Sequence, residues 1–199
     1  AKSKGITAWC YFDNDAEFGE YYGKLYNWYA VNDPRGLAPE GWHIPNKKEF
    51  TRLVAYCGGP GYYSRIALNP GGFSGFNSLD GGIRSNDVEF NKIDADAYYW
   101  CSSEPDSRSK WRLCISGSQG VEINDRFNSK NVYMSVRCVK NTEEAVLTPN
   151  RSDADRDNHT YRLIQVGDQV WMAENLRVSH FRNGDPIQEI KTAVDWEKA

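Results

Sequence analysis

The chain has 199 residues, 40% of them hydrophobic and 26% charged, with a formal net charge of −3. That balance allows a packed core in one large domain or two small ones and excludes a disordered chain. It offers no basic field for nucleic acid or anionic lipid; no run is long enough to span a bilayer, and no signal peptide is visible, as in a secreted protein shorn of its leader.

Aromatic residues are abundant: seven Trp, twelve Tyr and eight Phe. A core of this size needs fewer, so some rings are expected to face solvent or a ligand. In chain order, Ile6–Phe12 suits a strand and Asp13–Asp15 a turn, while Tyr22–Ala30 reads as strand or helix. Asp33-Pro34-Arg35-Gly36 is a turn signal. The clearest helix opens at Asn46, which stands in capping-box spacing with Glu49; Phe50, Leu53 and Val54 follow as an apolar stripe that reads as core.

Residues 58–95 are rich in Gly, Asn, Asp and Ser and read as a long functional loop or a linker; Phe73, Phe76, Leu79 and Ile83 favour order. Strands follow. Tyr98–Ser103 is one, and Trp111, Leu113 and Ile115 alternate with Arg112, Cys114 and Ser116. After a turn at Gly117–Gly120, Val121 and Ile123 alternate with Glu122 and Asn124. Tyr133–Val139 is expected as the last strand of this sheet, with Met134 and Val136 on one face. Residues 141–158 read as a linker. Thr160–Val166 and Gln169–Met172 form an expected hairpin, and Asn183–Pro186 another turn. The ends also match each other. Joined, Asp195–Ala199 and Ala1–Gly5 read as one capped helix, with Asp195 at its start, Lys2 and Lys4 near its end and Gly5 just beyond.

Few residues suggest metal or catalytic chemistry. The five cysteines form no CxxC motif and no Cys/His cluster, so no zinc site and no cofactor is expected. They read as one or two disulfides with a thiol left over, Cys101 and Cys114 lying on neighbouring strands, or as buried free thiols. Asp153, Asp155 and Asp157 alternate as at the start of a calcium loop, but Asn158 replaces its glycine and Ile164 its closing glutamate, so a solvated acidic linker is expected. Glu104-Pro105-Asp106 and Asp13–Asp15 are weaker ion-binding candidates. His43, His159 and His180 lie in unrelated contexts, and His43 reads as structural.

Several phrases together resemble the Fibrobacter succinogenes major paralogous domain, a family of bacterial surface and secreted proteins. They include Trp9–Asp15, Gly23–Val31, Pro39–Pro45, Gly75–Arg84, Tyr99–Glu104, Ser135–Val139 and Val166–Leu176. The resemblance implies an α+β, C-type lectin-like fold of small antiparallel sheets, about two helices and long ordered loops. It also implies circular permutation of a single domain, 1–199: the family's first portion corresponds to 159–199, its later portion to 1–140, and 141–158 would join the old ends. An engineered permutant, a natural one and a fragment of tandem domains all fit. Family members often carry a cysteine before Gly-Trp-His that is placed to bridge the Ser-Val-Arg-Cys-Val strand. Leu37-Ala38-Pro39 stands there instead, leaving Cys138 without that partner. Formylglycine-generating enzymes share this broad fold, but their paired-cysteine copper motif has no counterpart here.

The expected function is non-enzymatic binding of a protein or glycan at the cell surface or outside the cell, through a face formed by residues 105–130. Arg108, Lys110, Arg112, Asp125, Arg126 and Asn128 would supply polar contacts beside Glu122 and Asn124. Trp111 and Phe127 would supply flat area if exposed, core if not. The layout of Tyr99–Ser103, changeable polar residues and Ser135–Val139 is similar to that of variable proteins of diversity-generating retroelements. The alternative is a pilus or adhesin assembly domain that exchanges its 160–199 segment between copies.

Overall fold

A computed structural model describes residues 5–85, 89–103, 110–127, 132–141, 152–192 and 195, with the side chains of 126, 127 and 152 excepted. The first strands are β1 (Ala8–Cys10) and β2 (Leu25–Asn27), separated by helix α1 (Ala16–Tyr22) and followed by α2 (Trp28–Val31). Next come β3 (Trp42–His43), α3 (Lys47–Tyr56) and α4 (Tyr62–Leu68). Six strands follow: β4 (Gly81–Arg84), β5 (Phe90–Ile93), β6 (Asp96–Trp100), β7 (Lys110–Ser116), β8 (Gly120–Phe127) and β9 (Tyr133–Ser135). The chain then forms β10 (Val139–Lys140), β11 (Ser152–Ala154), β12 (Thr160–Val166), β13 (Gln169–Met172) and β14 (Gln188–Glu189).

Among the described residues the strands form two sheets. One has nine strands in the order β14-β1-β2-β9-β4-β6-β7-β8, with β5 on β4; the other is β11-β12-β13-β10-β3. The class is α+β. The larger sheet is neither small nor purely antiparallel, because β14 adds in parallel to β1 and β6 lies parallel to both β4 and β9. Four α-helices, not two, are present among the described residues.

The capping box forms as the sequence predicts. Asn46 Oδ1 accepts from the Glu49 backbone N–H at 3.1 Å, and Glu49 Oε2 accepts from that of Asn46 at 2.8 Å. The ambiguous run resolves into both alternatives, β2 and then α2, with Asn27 capping the helix through the Ala30 N–H at 3.0 Å. Residues 58–95 are not one long loop, since they hold α4, β4 and most of β5. The hairpins β7–β8 and β12–β13 form in register.

The larger sheet is covered on both faces. One core gathers Trp28, Tyr98, Trp100, Cys114, Met134, Val136 and Cys138 with Tyr161, Met172 and Phe181. The other packs Phe50, Leu53 and Leu68 against Tyr99, Cys101, Leu113, Ile115 and Trp171. Both parts of the chain, before 140 and after 159, therefore fill the same cores. Cys101 and Cys114 lie in different cores because Cys114 pairs with Tyr98, on the opposite strand face from Cys101. All five thiols are free and buried.

The acidic run is not a solvated linker either. Asp155 is buried and accepts from Tyr161 Oη at 2.6 Å; Asp153 accepts from Lys140 Nζ at 3.0 Å and Trp42 Nε1 at 3.2 Å. Asp157 accepts from the Ser179 backbone and pairs with His180 at 2.6 Å. Each carboxylate is used to fasten β11 and the turn after it to neighbouring strands. Residues 142–151, Glu104–Asp106 and all of the expected split helix except Asp195 lie outside the described residues.

Candidate functional site

The predicted binding face lies on the β7–β8 hairpin, so its geometry starts with the turn. Ser116 Oγ accepts from the Ser118 and Gln119 backbone N–H groups, and Asp96 Oδ1 accepts from that of Gly117 at 3.1 Å. Gly120 then adopts φ 77°. A Cβ there would come within 2.3 Å of the Gly61 carbonyl carbon, so glycine is needed for the hairpin to meet the approach to α4. The two chains bridge at Gly61 and Val121.

From this anchor the strands alternate as expected, but the face opposite the apolar one is largely closed. Lys110 is 1% exposed, with Nζ 5.0 Å from the Trp28 ring centroid. Arg112 is 7% exposed, with its guanidinium 4.8 Å from the Tyr98 centroid. Ser116 is also buried. These expected ligand contacts are instead cations laid on aromatic rings, an attraction that allows a charge to leave water. Trp111 is half-buried against the second core, under Lys47 Nζ at 3.4 Å. Lys47 is set there by the capped start of α3.

Glu122, Asn124 and Asp125 remain half-exposed on β8. Arg112 Nε donates to Asn124 Oδ1 at 2.9 Å, and Asn124 Nδ2 donates to Glu122 Oε2 at 3.1 Å. The buried arginine thus orients a polar row on the last strand of the sheet. Arg126 and Phe127 continue β8, but their side chains, like all of Arg108 and Asn128, lie outside the described residues.

Other clefts lie away from this face. The largest, about 470 Å³, is lined by Trp28, Tyr29, Asn32, Asp33, Pro34 and Arg35 with Gly5 and Thr7. Arg35 is held there by Asp33 at 2.8 Å and Asp185 at 3.1 Å, and its hydrogen bonds keep the Asp33 carboxyl below the usual range. Its sequence signal, Asp-Pro-Arg-Gly, reads only as a turn. Two smaller clefts, of about 240 and 170 Å³, share Tyr21 and Leu79. Lys24, which nothing in the sequence singles out, lies 3.9 Å from the Trp9 ring centroid and donates to Ser179 Oγ. Burial lowers its amine to about 8, against the opposing pull of Asp157 and Glu189.

All three histidines pair with carboxylates. His159 meets Asp155 at 3.0 Å, and His180 meets Asp157. His43 Nε2 lies 2.7 Å from Glu49 Oε1 and Nδ1 lies 2.8 Å from Asn141 Oδ1. Two oxygen acceptors favour the doubly protonated ring; the Glu49 bond raises the His43 pKa, despite burial. Among the described residues no three His, Cys, Asp or Glu side chains are placed to hold a metal ion. Burial raises the thiol pKa of each cysteine, most moderately to about 11 at Cys57 and Cys114, so these groups stay protonated.

The fold and this hairpin define a mixed α+β domain with a polar outer strand and no membrane-spanning helix among its described residues. A family profile described as the Fibrobacter succinogenes major domain matches residues 2–140, and the chain belongs to that bacterial family. No curated protein and no solved structure is significantly similar to it.

Proposed function

We propose that the protein is a non-enzymatic ligand-binding module, borne on a bacterial surface or secreted, that holds a protein or glycan along β8. The observation that carries this reading is the Arg112–Asn124–Glu122 hydrogen-bonded row. Its inner member is fixed in the core, and its outer members face solvent beside Asp125. Polar groups oriented before binding lose less entropy on contact. Arg126 and Phe127 extend the surface; Lys110 and Arg112 serve it from beneath. The test is a glycan and protein array probed with the wild type and with Glu122→Ala/Asn124→Ala/Asp125→Ala. Capture should fall at least about tenfold in the variant, the equivalent of ~1.4 kcal/mol; equal capture would remove the site.

The same reading takes the fold as C-type lectin-like and circularly permuted. Parallel neighbours need a crossover of a dozen or more residues, usually helical. β14 and β1 are such neighbours. The ten residues after Glu189 and the seven before Ala8 would supply that crossover if joined, and they contain the expected split helix.

One observation favours the assembly alternative. Tyr161, Leu163, Val170, Met172, Leu176 and Phe181 sit in the first core, so the segment from 160 onward could make the same contacts with another copy.

A further inference from the structure

The large apolar side chains on the described surface are concentrated in one short stretch. Tyr56, Tyr62, Tyr63, Ile66 and Phe73 are 54, 60, 82, 53 and 73% exposed; Tyr21 is the other one among the described residues. They form one surface. Tyr56 ends α3, and its ring centroid lies 6.2 Å from that of Phe73. Tyr62, Tyr63 and Ile66 occupy the outer side of α4, whose inner side buries Ser64, Ala67 and Leu68. The Ser74 backbone N–H donates to Ala67 O, which brings Phe73 beside the end of the same helix.

This surface is held in place. Gly61 and Val121 exchange backbone hydrogen bonds of 3.1 and 3.0 Å, tying the start of α4 to β8. Ser64 Oγ donates to Gly61 O at 3.0 Å, and Ser78 N donates to Leu68 O at 2.7 Å. The rings therefore project from a rigid platform and would lose little freedom on contact.

The stretch also lacks charge. Between Leu53 and Leu79 the single charged residue is Arg65, in a chain that is 26% charged, and it turns toward Asp80 at 3.1 Å. From full aromatic side-chain areas, the five exposed groups present roughly 600 Å². That is at the upper end of the largest apolar patch on an ordinary monomer, about 300–600 Å². It approaches the ~800 Å² that each partner contributes to a standard interface.

We propose that this surface is a self-association face, which meets the same face of a second copy of the chain about a two-fold axis. Homodimer interfaces are more apolar than interfaces between different proteins, and this patch has that character. A surface without charge sets no like charges against each other when it meets itself, and carries no charge pattern to select a different partner. The net charge of −3 adds little repulsion between copies. Each apolar contact would be made twice by symmetry. This contact is distinct from segment exchange, which point changes on α4 would not undo.

The test is sedimentation equilibrium of the full chain across the micromolar range. The wild type and a Tyr21→Glu control should rise with concentration toward the mass of two chains. Tyr63→Glu/Ile66→Glu should stay at one chain, its dissociation constant raised at least about 100-fold. Phe73→Glu, which lies outside the helix, should do the same and covers the case in which charges on α4 unsettle the fold; circular dichroism identifies that case. A wild type that keeps the mass of one chain overturns the proposal, even if it binds glycans or lipid vesicles through this face. So does a dimer that survives in folded patch variants.

Discussion

Arg137 joins three segments distant in sequence. It is fully buried, and its guanidinium donates to Phe76 O, Asn77 O, Met172 O and Asn175 Oδ1. Its plane also lies 4.5 Å from the Phe76 ring centroid. Arg137→Met would keep much of the bulk but leave these oxygens unanswered in a dry site. A loss of about 3–5 kcal/mol is expected in urea unfolding; a loss below about 1 kcal/mol would show that the network is dispensable. His43 gives a pH-dependent case. Its pKa is raised in the folded state by Glu49, so its contribution is full below the ordinary value of about 6.5 and fades as pH rises through the folded value. Burial works against ionisation of Glu49, but bonds from His43 and the Asn46 backbone outweigh it and lower that pKa. The stability difference between wild type and His43→Gln should thus be largest near pH 5–6 and shrink toward pH 9. Because His43 is 36% exposed, water screens the pair and the maximum should be no more than about 1 kcal/mol. Thermal melts across that range check the sign. The importance of Arg137 was not legible in Ser-Val-Arg-Cys-Val, because a buried arginine has the same letter as an exposed one. Lys110 and Arg112 misled for the same reason: alternation separates two strand faces without saying whether aromatic rings cover the polar one.

Elements with their own local signals were the legible ones. α3 has a capping box and an apolar stripe, and each of the β7–β8 and β12–β13 hairpins has alternation on both sides of a glycine turn. α4 was not legible. It is seven residues long, its N-cap is Gly61 without a side-chain bond, and its exposed side is as apolar as its buried one. A helix with apolar residues all round has no hydrophobic period to read. The Asp153–Asp157 run failed for a different reason. Its composition is that of a loop, but its carboxylates accept hydrogen bonds from Lys140, Trp42, Tyr161 and Ser179, partners far away in the chain or invisible as partners within it. The candidate face was half legible: the hairpin and its polar row were readable, but the depth to which each residue is buried was not.

At the scale of the whole molecule, the family match ends at 140 while the core does not. Leu176 N donates to Val136 O at 2.8 Å and Met172 N to Cys138 O at 3.1 Å, so the later segment completes the hydrogen bonding of the strand run that closes the matched region. A fragment of residues 1–141 should therefore show no cooperative thermal transition, and adding a peptide of 152–192 should restore one. A chain rebuilt with 159–199 ahead of 1–140 should melt within a few degrees of the original, a shift of about 1 kcal/mol or less. A stable isolated 1–141 fragment would show that the two portions are separate domains. The β1–β14 pair has a mechanical consequence. Chain enters the sheet at Ala8 and leaves it at Glu189 along parallel neighbours, so tension applied through the flanking segments slides one strand along the other. The ladder bonds would then bear the force together in shear, rather than opening one after another from an end.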